Sequence, residues 1–525
     1  MRWTLKGDAE AARRMNPWNL YVFGKLALQW FGYIRIELVP ELAGFVVIYA
    51  LTRRAAERLW VRAAIGVFGT VLAVVLFWRA SFLPAPPDAM EFVLDNALRP
   101  DRTYFLSFLK GLTKRWEVWG AVAAAAALFH FRHRKVVDLT APSLAALLAF
   151  AAFWPRPDSA RLTADKASFY AAEAQRRVSL PKPAADFDLV FVHVCSMSWD
   201  DLWKTGLAGD SLLGRFDLLF TRFNSVSSYS EQAAIRLLRA TCGQPRYAQM
   251  YKEAPPECYL KGQLERAGYH VETAMNHSGA YLEMSAKLAR WGHLRRPMPV
   301  ADLLADKVNF NGTAVYDDYE VLERWWKKRQ ASGAKRAALY YNTVSLHAGA
   351  HPVGEKRAWS KDPAERFRIS AVDLFADLQR FFGLLEASGR NVVVVLIPEH
   401  GGAVRGSQFL LPGMRDMVLP AIALVPVGVK LFGAAKAAGG PRLVTAPVSY
   451  LGLAHLLGGL MARPPFGPKG ASLDETLAGL PETRHVEENR TMVLLGDKED
   501  FYLDLLDRKW ITLPRKFHPD RVRTR

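Results

Sequence analysis

The chain has 525 residues, a formal net charge of +18 at pH 7 and 50% hydrophobic residues. This length exceeds that of one ordinary domain and suits about two or three domains. The positive charge argues little for nucleic-acid binding, because the sequence has no Lys/Arg-rich recognition helix and no aromatic RNA-binding motif. We therefore expect a multi-domain protein without a nucleic-acid partner.

Long apolar runs fill residues 1–154 and predict a transmembrane domain of about five helices. Stretches such as AVAAAAALFHF have no polar face, which a surface helix of a soluble bundle needs. A buried soluble bundle is therefore the less favoured alternative. The first two runs are short for a span, and flanking Trp, Lys and Arg side chains can extend them. The predicted spans are Leu20–Ile34, Glu37–Leu51, Ala63–Trp78, Trp116–Phe131 and Val136–Trp154.

Basic residues before the first span and after the second and fourth spans predict the orientation of this domain. Positive residues concentrate on the cytoplasmic side of a membrane protein. The pattern predicts a multi-pass inner-membrane protein with a cytoplasmic N-terminus and a C-terminal part outside, in the periplasm of a Gram-negative cell. Lys114 and Arg115 are the exception to the pattern. The basic residues that agree with the predicted orientation are Arg2, Lys6, Arg13, Arg14, Arg53, Arg54, Arg58, Arg62, Arg132, Arg134 and Lys135.

Residues 155–186 read as a linker, because prolines bracket one short amphipathic stretch, ADKASFYAAEAQRRVSL. From residue 187 to residue 525, buried strand-like runs alternate with helical stretches. This alternation predicts an α/β domain with a doubly wound, mostly parallel sheet. The final part resembles β-hairpins around a Gly-Asp turn. The predicted strands are Phe187–Val194, Tyr269–His277, Ala337–Val344, Asn391–His400 and Leu419–Val427.

Candidate metal ligands follow two of the predicted strands, at the carboxyl ends where such sheets form their active sites. Cys195 comes directly after the first strand, and Glu399 and His400 end the strand Asn391–His400. A thiolate, a carboxylate and an imidazole are all zinc ligands. The plainer alternative makes the cysteine a small buried residue and the Glu-His pair an ordinary loop.

Three further histidines lie near strand ends. His277 closes the strand Tyr269–His277, while His347 and His351 follow Ala337–Val344. Imidazoles at this edge can bind a phosphoryl group or transfer a proton. Solvated side chains without a role are the alternative.

Ser230 opens the predicted helix SEQAAIRLL after a cluster of serines. A helix N-terminus favours phosphate, because its N–H groups are unpaired and its dipole is positive there. A serine bound to a metal at this position would lose its proton readily and attack phosphorus. The alternative is a serine that only caps the helix.

The chain contains three cysteines: Cys195, Cys242 and Cys258. A periplasmic location permits a disulfide. A bridge between Cys242 and Cys258 would close a small loop and stabilise the fold by about 3 kcal/mol. Cys195 would then be left over, and an odd cysteine in an exported domain requires a reason.

Several motifs together resemble one family. They are FVHVCSMSW, FNSVSSYSEQAAIRLLRATCGQ, NTVSLHAG, VVVVLIPEHGGAVRG, GMRD and VPVGVKLFG. With the predicted spans, they resemble the cellulose phosphoethanolamine transferases of bacterial cellulose-synthesis operons. These are membrane-anchored members of the alkaline phosphatase-like superfamily, related to the lipid A phosphoethanolamine transferases. The resemblance covers nearly the whole chain and implies an alkaline phosphatase-like catalytic domain.

The resemblance implies roles for individual residues. Ser230 would be the nucleophile, Tyr229 would shape the site, and His347 and Arg415 would contact the phosphate or the exchanging groups. Glu231-Gln232 stands where this family has Gly-Pro, which leaves the local loop shape open. A zinc ion would be held by Cys195, Ser230, Glu399 and His400.

Further assignments concern binding and the disulfide. We assign His277 and His351 as candidate substrate-binding residues. The resemblance makes Cys242 and Cys258 the disulfide pair.

The resemblance implies zinc-dependent transfer of phosphoethanolamine from phosphatidylethanolamine to glucose hydroxyls of nascent cellulose, beside the cellulose synthase complex. A phospho-serine intermediate would carry the group. The closest alternative is a phosphoethanolamine or glycerophosphate transferase acting on lipid A or another envelope polymer. A sulfatase is disfavoured, since CGQPR has one residue too many before the proline for the formylglycine motif. A further hypothesis, compatible with the enzyme, is that this protein is a scaffold that couples the cellulose synthase to its partners.

Overall fold

The protein was analysed as a computed structural model, which divides into two compact units, Met1–Pro157 and Asp158–Arg525. The structure describes residues 17–31, 33–53, 59–81, 90, 94, 119, 140–153, 157–309, 311–354, 360, 362–407, 410–434, 440–467, 470–498, 500–505 and 510–513.

The described part of the first unit is helical. Lys25 in its first helix forms a buried ion pair with Glu41 in the second and donates to the carbonyl oxygen of Leu76 in the third (3.0 Å). These contacts satisfy the buried charges, as a helical bundle with little internal water requires. The helices are α1 (Pro17–Trp30), α2 (Leu38–Arg53), α3 (Leu59–Ala80) and α4 (Thr140–Phe153).

One stretch of the described residues, Ala63–Ala80 within α3, is long and apolar enough to cross a membrane. The apolar parts of α2 and α4, Leu38–Ala50 and Ala141–Phe150, are shorter. The fourth predicted span, 116–131, lies outside the described residues except for Trp119. A transmembrane domain of five helices is therefore not confirmed.

A seven-stranded sheet forms the centre of the second unit, in the order β10-β2-β9-β8-β1-β6-β3. All neighbouring pairs are parallel except those of β9, which runs antiparallel to β2 and β8. The prediction of an α/β fold with a mostly parallel sheet is confirmed. The strands are β1 (Asp188–Val194), β2 (Leu218–Asn224), β3 (His270–Met275), β6 (Ala337–Thr343), β8 (Val392–Pro398), β9 (Leu424–Phe432) and β10 (Arg442–Val444).

Helices cover both faces of this sheet, because alternate side chains of the central strands point to opposite faces. Leu189 and Phe191 of β1 join one core, whereas Val190 and Val192 join the other. The first core is covered by α8 (Ser230–Leu238), α10 (Leu260–Arg266), α11 (Met284–Gly292) and α15 (Tyr450–Ala462). The second is covered by α6 (Trp199–Thr205), α7 (Ser211–Gly214), α12 (Asp318–Ala331) and α13 (Pro363–Ser388).

The linker helix α5 (Ser159–Glu173) belongs to the second compact unit. Its apolar face packs against a four-stranded antiparallel sheet through Leu162, Phe169 and Tyr170. Lys166 of α5 also forms a buried ion pair with Asp504 at 2.5 Å. The sheet consists of β11 (Val486–Glu488), β12 (Val493–Asp497), β13 (Asp500–Asp504) and β14 (Trp510–Thr512), which confirms the predicted C-terminal hairpins.

The remaining strands and α-helices of the described residues are a small three-stranded sheet and three short helices, and two short 3-10 helices, Pro256–Cys258 and Tyr281–Glu283, accompany them. The sheet orders its strands β5-β4-β7. Their bounds are β4 (Ala305–Val308), β5 (Ala314–Tyr316) and β7 (His351–Pro352), and the remaining helices are α9 (Tyr247–Met250), α14 (Pro420–Ala423) and α16 (Leu473–Leu477).

One strand prediction was wrong in part. The run Leu419–Val427 begins with the short helix α14, and β9 starts only at Leu424 and is antiparallel. Pro420 occupies the first turn of that helix, where its missing N–H costs nothing. Apolar composition alone does not distinguish such a turn from a buried strand.

Candidate active site

Strand register brings the predicted metal ligands to one edge of the sheet. β1 lies between β6 and β8, and Val194 at its end is opposite Thr343 and Pro398. The main chain continues this pairing, since the Cys195 N–H donates to the Thr343 carbonyl (2.9 Å) and the Glu399 N–H donates to the Val194 carbonyl (2.8 Å). Cys195 and Glu399 therefore leave adjacent strands at the same level.

Ser230 is the first residue of α8 and does not cap it. The N-cap position is Tyr229, which has extended backbone angles and makes no capping side-chain hydrogen bond. The Ser230 hydroxyl instead lies 3.1 Å from His400 Nε2 and 3.4 Å from Cys195 Sγ. The interpretation of this serine as a helix cap is therefore wrong, because its oxygen is directed towards Cys195 and His400.

Four side chains form a cluster with the donor atoms of a zinc site, at separations close to those of bound ligands and up to a few tenths of an ångström wider. Cys195 Sγ lies 4.0 Å from His400 Nε2, and His400 Nε2 lies 3.9 Å from Glu399 Oε2. Ligands arranged tetrahedrally at zinc bond lengths lie about 3.3–3.6 Å apart. Oε2 of Glu399 is buried and has no hydrogen-bond partner among the described residues. A metal ion would satisfy this oxygen, so the residues present fit zinc.

Burial sets the protonation of these groups in the absence of a metal. It raises the pKa of the Cys195 thiol to about 11 and that of Glu399 to about 7, and it lowers the pKa of His400 well below its ordinary value. Neutral imidazole is the form that binds metals. Nδ1 of His400 lies 2.9 Å from the Gly401 carbonyl oxygen, to which its N–H can donate. That hydrogen bond leaves Nε2 as the nitrogen with a free electron pair, facing Ser230.

The two glycines after His400 allow the chain to turn closely beneath the cluster. A Cβ atom on Gly401 would lie 2.6 Å from Ser198 Oγ and 2.9 Å from Asp201 Oδ2. Asp201 also accepts the N–H groups of Gly402 (2.6 Å) and Val404 (3.1 Å). Only glycine fits at position 401, and the buried carboxylate fixes the loop that carries the histidine.

Left-handed backbone conformations occur beside each ligand-bearing segment. Ser196, Val226 and Ala403 have φ values of 68°, 68° and 51°. Such values are uncommon outside glycine, and for a β-branched valine they are strained. These three turns aim Cys195, Ser230 and His400 at a common point, and side-chain sequence patterns do not reveal them.

Arg415 and His347 border the cluster. Arg415 Nη1 donates to Ser196 Oγ (2.9 Å) and lies 3.3 Å from His400 Nε2. Burial, followed by the charge of Arg415 and a smaller effect of His277, lowers the pKa of His347 to about 3. The cluster is therefore bordered by the cation of Arg415 and by the neutral imidazole of His347.

The side chain of Tyr229, the residue before Ser230, reaches a carboxylate that the sequence analysis missed. Its hydroxyl donates to Asp416 Oδ1 at 2.6 Å, and the Arg415 guanidinium carbon lies 5.9 Å from the centre of its ring. The motif GMRD contains Asp416, but only the structure pairs it with Tyr229.

His277 contacts the cluster indirectly, through Asn342. His277 Nδ1 accepts from the Gly279 N–H (3.1 Å), so Nε2 carries its proton and donates to Asn342 Oδ1 (2.9 Å). Asn342 Nδ2 in turn donates to Glu399 Oε1 at 2.7 Å. His351 lies elsewhere, exposed on β7, with its Nδ1 3.3 Å from the Gly349 carbonyl oxygen.

Glu231 and Gln232, the departures from the expected Gly-Pro, are part of a regular helix. Glu231 forms an ion pair with Lys287 of α11 at 2.7 Å, and Gln232 is buried. The predicted disulfide between Cys242 and Cys258 is confirmed, with their Cα atoms 5.0 Å apart. Cys195 is the free cysteine and is buried in the cluster.

Comparison with known proteins identifies close sequence relatives. Residues 150–510 match the model of the cellulose biosynthesis protein BcsG C-terminal domain, and residues 18–152 match that of its N-terminal domain. The chain is 31% identical to the cellulose biosynthesis protein BcsG of Escherichia coli K12 over 565 aligned positions, covering 96% of this chain and 97% of the relative. The Salmonella typhimurium BcsG is 30% identical with the same coverage.

Solved structures are more distant. An alkaline phosphatase superfamily protein from Vibrio parahaemolyticus has a TM-score of 0.48 at 13% identity, over 66% of this chain and 86% of that one. The C-terminal periplasmic domain of EcEptC from Escherichia coli has a TM-score of 0.42 at 13% identity, over 63% of this chain and 97% of that one. From the two domain models and the full-length relatives, the chain belongs to the BcsG family of cellulose biosynthesis proteins.

Proposed function

We propose that this protein transfers phosphoethanolamine from phosphatidylethanolamine to glucose hydroxyls of nascent cellulose, in a zinc-dependent reaction. The observation that carries the proposal is the position of the Ser230 hydroxyl, at a helix N-terminus and 3.1 Å from a buried histidine nitrogen. A hydroxyl in this position is an activated nucleophile for phosphorus. Membership of the BcsG family supports cellulose as the acceptor over lipid A.

Zinc would be held by Cys195, Ser230, Glu399 and His400. When bound, it supplies positive charge that lowers the pKa of a hydroxyl ligand and offsets the negative charge of a transferring phosphoryl group. The buried thiol and carboxyl favour their protonated forms without it, so metal uptake releases protons.

The first step makes the phospho-serine. Ser230 Oγ loses its proton as it attacks the phosphorus of the donor, the bond between phosphorus and the glycerol oxygen breaks, and that oxygen takes up a proton as diacylglycerol leaves. The N-terminal N–H groups of α8 and the Arg415 guanidinium hold the phosphoryl oxygens, whose negative charge they complement. Arg415 is suited to this task because its guanidinium stays charged and offers several donors.

The second step transfers the group to cellulose. A glucose hydroxyl, which we take to be the 6-OH, attacks phospho-Ser230, and the serine oxygen leaves. His347 would accept the proton of the attacking hydroxyl. Its pKa is low before the phosphoryl group arrives, and the negative charge of that group raises it toward the working range.

We further propose that the N-terminal unit is a multi-pass inner-membrane domain of about five helices. It would hold a periplasmic catalytic domain near its lipid donor and near the cellulose synthase complex. The basic residues before the first span and between the later ones support a cytoplasmic N-terminus. Reporter fusions test this orientation. A C-terminal reporter active only in the periplasm should be active, and activity of a strictly cytoplasmic reporter there would contradict it.

Purified full-length protein in detergent tests the reaction. Incubation with zinc and phosphatidylethanolamine should release diacylglycerol, and mass spectrometry should find phosphoethanolamine on the peptide containing Ser230. Ser230→Ala should abolish both signals. Release of diacylglycerol by Ser230→Ala at the wild-type rate would overturn the assignment of the nucleophile.

A further inference from the structure

The turn that carries His347 is held by buried polar side chains to which the proposed reaction gives no role. β6 ends at Thr343, and the chain then turns tightly, with the His347 N–H donating to the Val344 carbonyl oxygen (2.9 Å). A side chain on a loop keeps a precise position only when rigid neighbours support that loop. The position of His347 therefore depends on the contacts that hold this turn.

Asn276, which follows β3 directly, holds the beginning of the turn. Its Oδ1 accepts the N–H of Val344 (3.0 Å), and its own main-chain N–H donates to the carbonyl oxygen of Asn342 (3.2 Å). Its Nδ2 donates to the hydroxyl of Ser345 (2.9 Å). Asn276 is fully buried, so water does not compete for these hydrogen bonds. The start of the turn is thereby fixed to the central sheet.

Asp318, the first residue of α12, holds the next residue of the turn. Its Oδ2 accepts the hydroxyl of Ser345, and its Oδ1 accepts the hydroxyl of Tyr341 in β6 (2.5 Å). The Ser345 N–H donates to Thr343 Oγ1 (3.2 Å). All of these side chains are buried. A hydrogen bond to a buried carboxylate is stronger than one between neutral groups, so it restrains the serine firmly.

These contacts converge on the residues just before His347. The N–H groups of Val344 and Ser345 are both bonded, and the Ser345 hydroxyl accepts from Asn276 and donates to Asp318. The turn is thereby attached to β3 and α12, two elements that contain no proposed metal ligand. Removing one of these hydrogen bonds should therefore displace the imidazole without disturbing the metal ligands.

We propose that Asp318, acting through Ser345, is a positioning residue that holds His347 for the second step of the proposed reaction. This inference rests on the proposed function, in which His347 accepts the proton of the attacking glucose hydroxyl. It differs from a purely structural role, in which loss of the hydrogen bond between Asp318 and Ser345 would slow both steps alike.

The experiment follows the two steps separately, with the full-length protein in mixed micelles that contain phosphatidylethanolamine and zinc. The burst of diacylglycerol without an acceptor reports the first step. Cellopentaose is then added, and mass spectrometry of quenched samples follows the loss of phosphoethanolamine from the Ser230 peptide. The variants are Asp318→Asn, Ser345→Ala, His347→Ala and the double variant Ser345→Ala/His347→Ala. Tyr341→Phe is the matched control, because it removes the other hydroxyl from the same carboxylate and no hydrogen bond of the turn.

We expect Asp318→Asn and Ser345→Ala to slow the second step by about 10- to 100-fold, as displacement of a proton acceptor does, and to leave the first step nearly unchanged. His347→Ala should slow the second step at least as much. Ser345→Ala should cause no further loss in the His347→Ala background, because the serine acts only through the histidine. Tyr341→Phe should leave both rates close to those of the wild type.

Equal slowing of both steps in Ser345→Ala, or an additive loss in the double variant, would overturn the inference and leave the proposed function standing. A second step as slow in Tyr341→Phe as in Ser345→Ala, or at the wild-type rate in Ser345→Ala or in His347→Ala, would overturn it as well. If Asp318→Asn fails to fold, Ser345→Ala decides, since it removes a single oxygen. A wild type that forms no phospho-Ser230, or passes no phosphoethanolamine to cellopentaose, would overturn the proposed function and this inference with it.

Discussion

A continuous line of hydrogen bonds reaches the proposed metal ligand Glu399 from the loop after β3. Gly279 N–H, the His277 ring and the Asn342 amide each donate to the next group, and the last donor contacts Glu399 Oε1. Each hydrogen bond fixes the orientation of the side chain that donates the next one. Oε1 is thereby occupied, and Oε2 is the oxygen that would bind the proposed metal. Such outer partners hold ligands in place and tune metal affinity.

Asn342→Ala should weaken zinc binding by about 10- to 100-fold, because Glu399 loses the donor that orients it. Competition with a chromogenic zinc chelator measures this affinity. The cobalt-substituted protein provides a second reading, since its visible spectrum reports coordination geometry. Asn391→Ala, far from the cluster at the opposite end of β8, is the control. Wild-type zinc affinity and an unchanged cobalt spectrum in Asn342→Ala would contradict this role.

The residues that could be predicted from the sequence are those whose side chains are common metal ligands. The residues that only position another side chain by a hydrogen bond could not be predicted. Cys195, Glu399 and His400 follow strands, and a rule about strand ends brings them together. Asn342 and Asp416 have ordinary residue types, and their importance arises from register and from loop conformation. These features depend on the tertiary fold and leave no periodic signal in the chain.

The disulfide secures the chain just beyond α8, the helix that begins with Ser230. Cys242 lies four residues after the end of α8 and is joined to Cys258, 16 residues further on. The Cys242 N–H donates to the Arg239 carbonyl (3.1 Å), and Cys242 forms a β-bridge with Arg177. The disulfide therefore ties Cys258 to the chain just after α8, and the β-bridge joins the same point to the segment after α5.

Replacing both Cys242 and Cys258 by alanine should lower the free energy of unfolding of the catalytic unit by about 3 kcal/mol, as expected for a loop of this length. Thermal unfolding of the full-length protein in detergent measures the change. Wild-type protein treated with a reductant should melt at the same lower temperature as the double variant. An unchanged melting temperature in the variant would contradict a stabilising role.

An acidic group between α12 and α13 predicts a pH effect away from the active site. The pKa of Asp377 is raised to about 7, chiefly by burial and then by the charges of Asp317 and Asp318, which outweigh the opposite effect of Arg380 and Lys307. The unfolded carboxyl titrates near ~4. Because the folded pKa is the higher one, stability falls as pH rises from about 4 to about 7.

Asp377→Asn should therefore stabilise the protein by about 1–2 kcal/mol at pH 8 and have almost no effect at pH 4. Melting temperatures of wild type and variant across this range test the sign. Asp373→Asn, one turn earlier on α13, controls for removal of a helix carboxylate. A stabilisation that is the same at both pH values would contradict the explanation from burial.

The central strands of the sheet and its edge strand β3 could be predicted, whereas β2 and β10 at the other edge could not. β1, β6 and β8 are buried on both faces, so each is a continuous apolar run. β2 contains Thr221 and the exposed Arg222, and β10 has three residues. Short or polar strands exist because neighbours pair with them, and a local sequence window does not contain that information.

At the scale of the whole molecule, the chain combines an apolar helical unit with an α/β unit that carries the site. Composition predicted this division, because the apolar runs end near residue 154 and the strand-helix alternation follows. The linker helix α5 was harder to place, since its partners β11 to β14 lie more than 300 residues later in the chain. Contacts at that separation become visible only in the folded structure.

The proposed reaction requires Ser230 to carry phosphoethanolamine to cellulose. Solid-state NMR of cellulose from cells that have this gene as their sole copy tests it most directly. Wild-type cells should produce cellulose with phosphorus and ethanolamine signals attached to glucose. Cells expressing Ser230→Ala at the same protein level should produce cellulose without them. Full decoration in the Ser230→Ala cells, or no decoration in the wild type, would contradict the account.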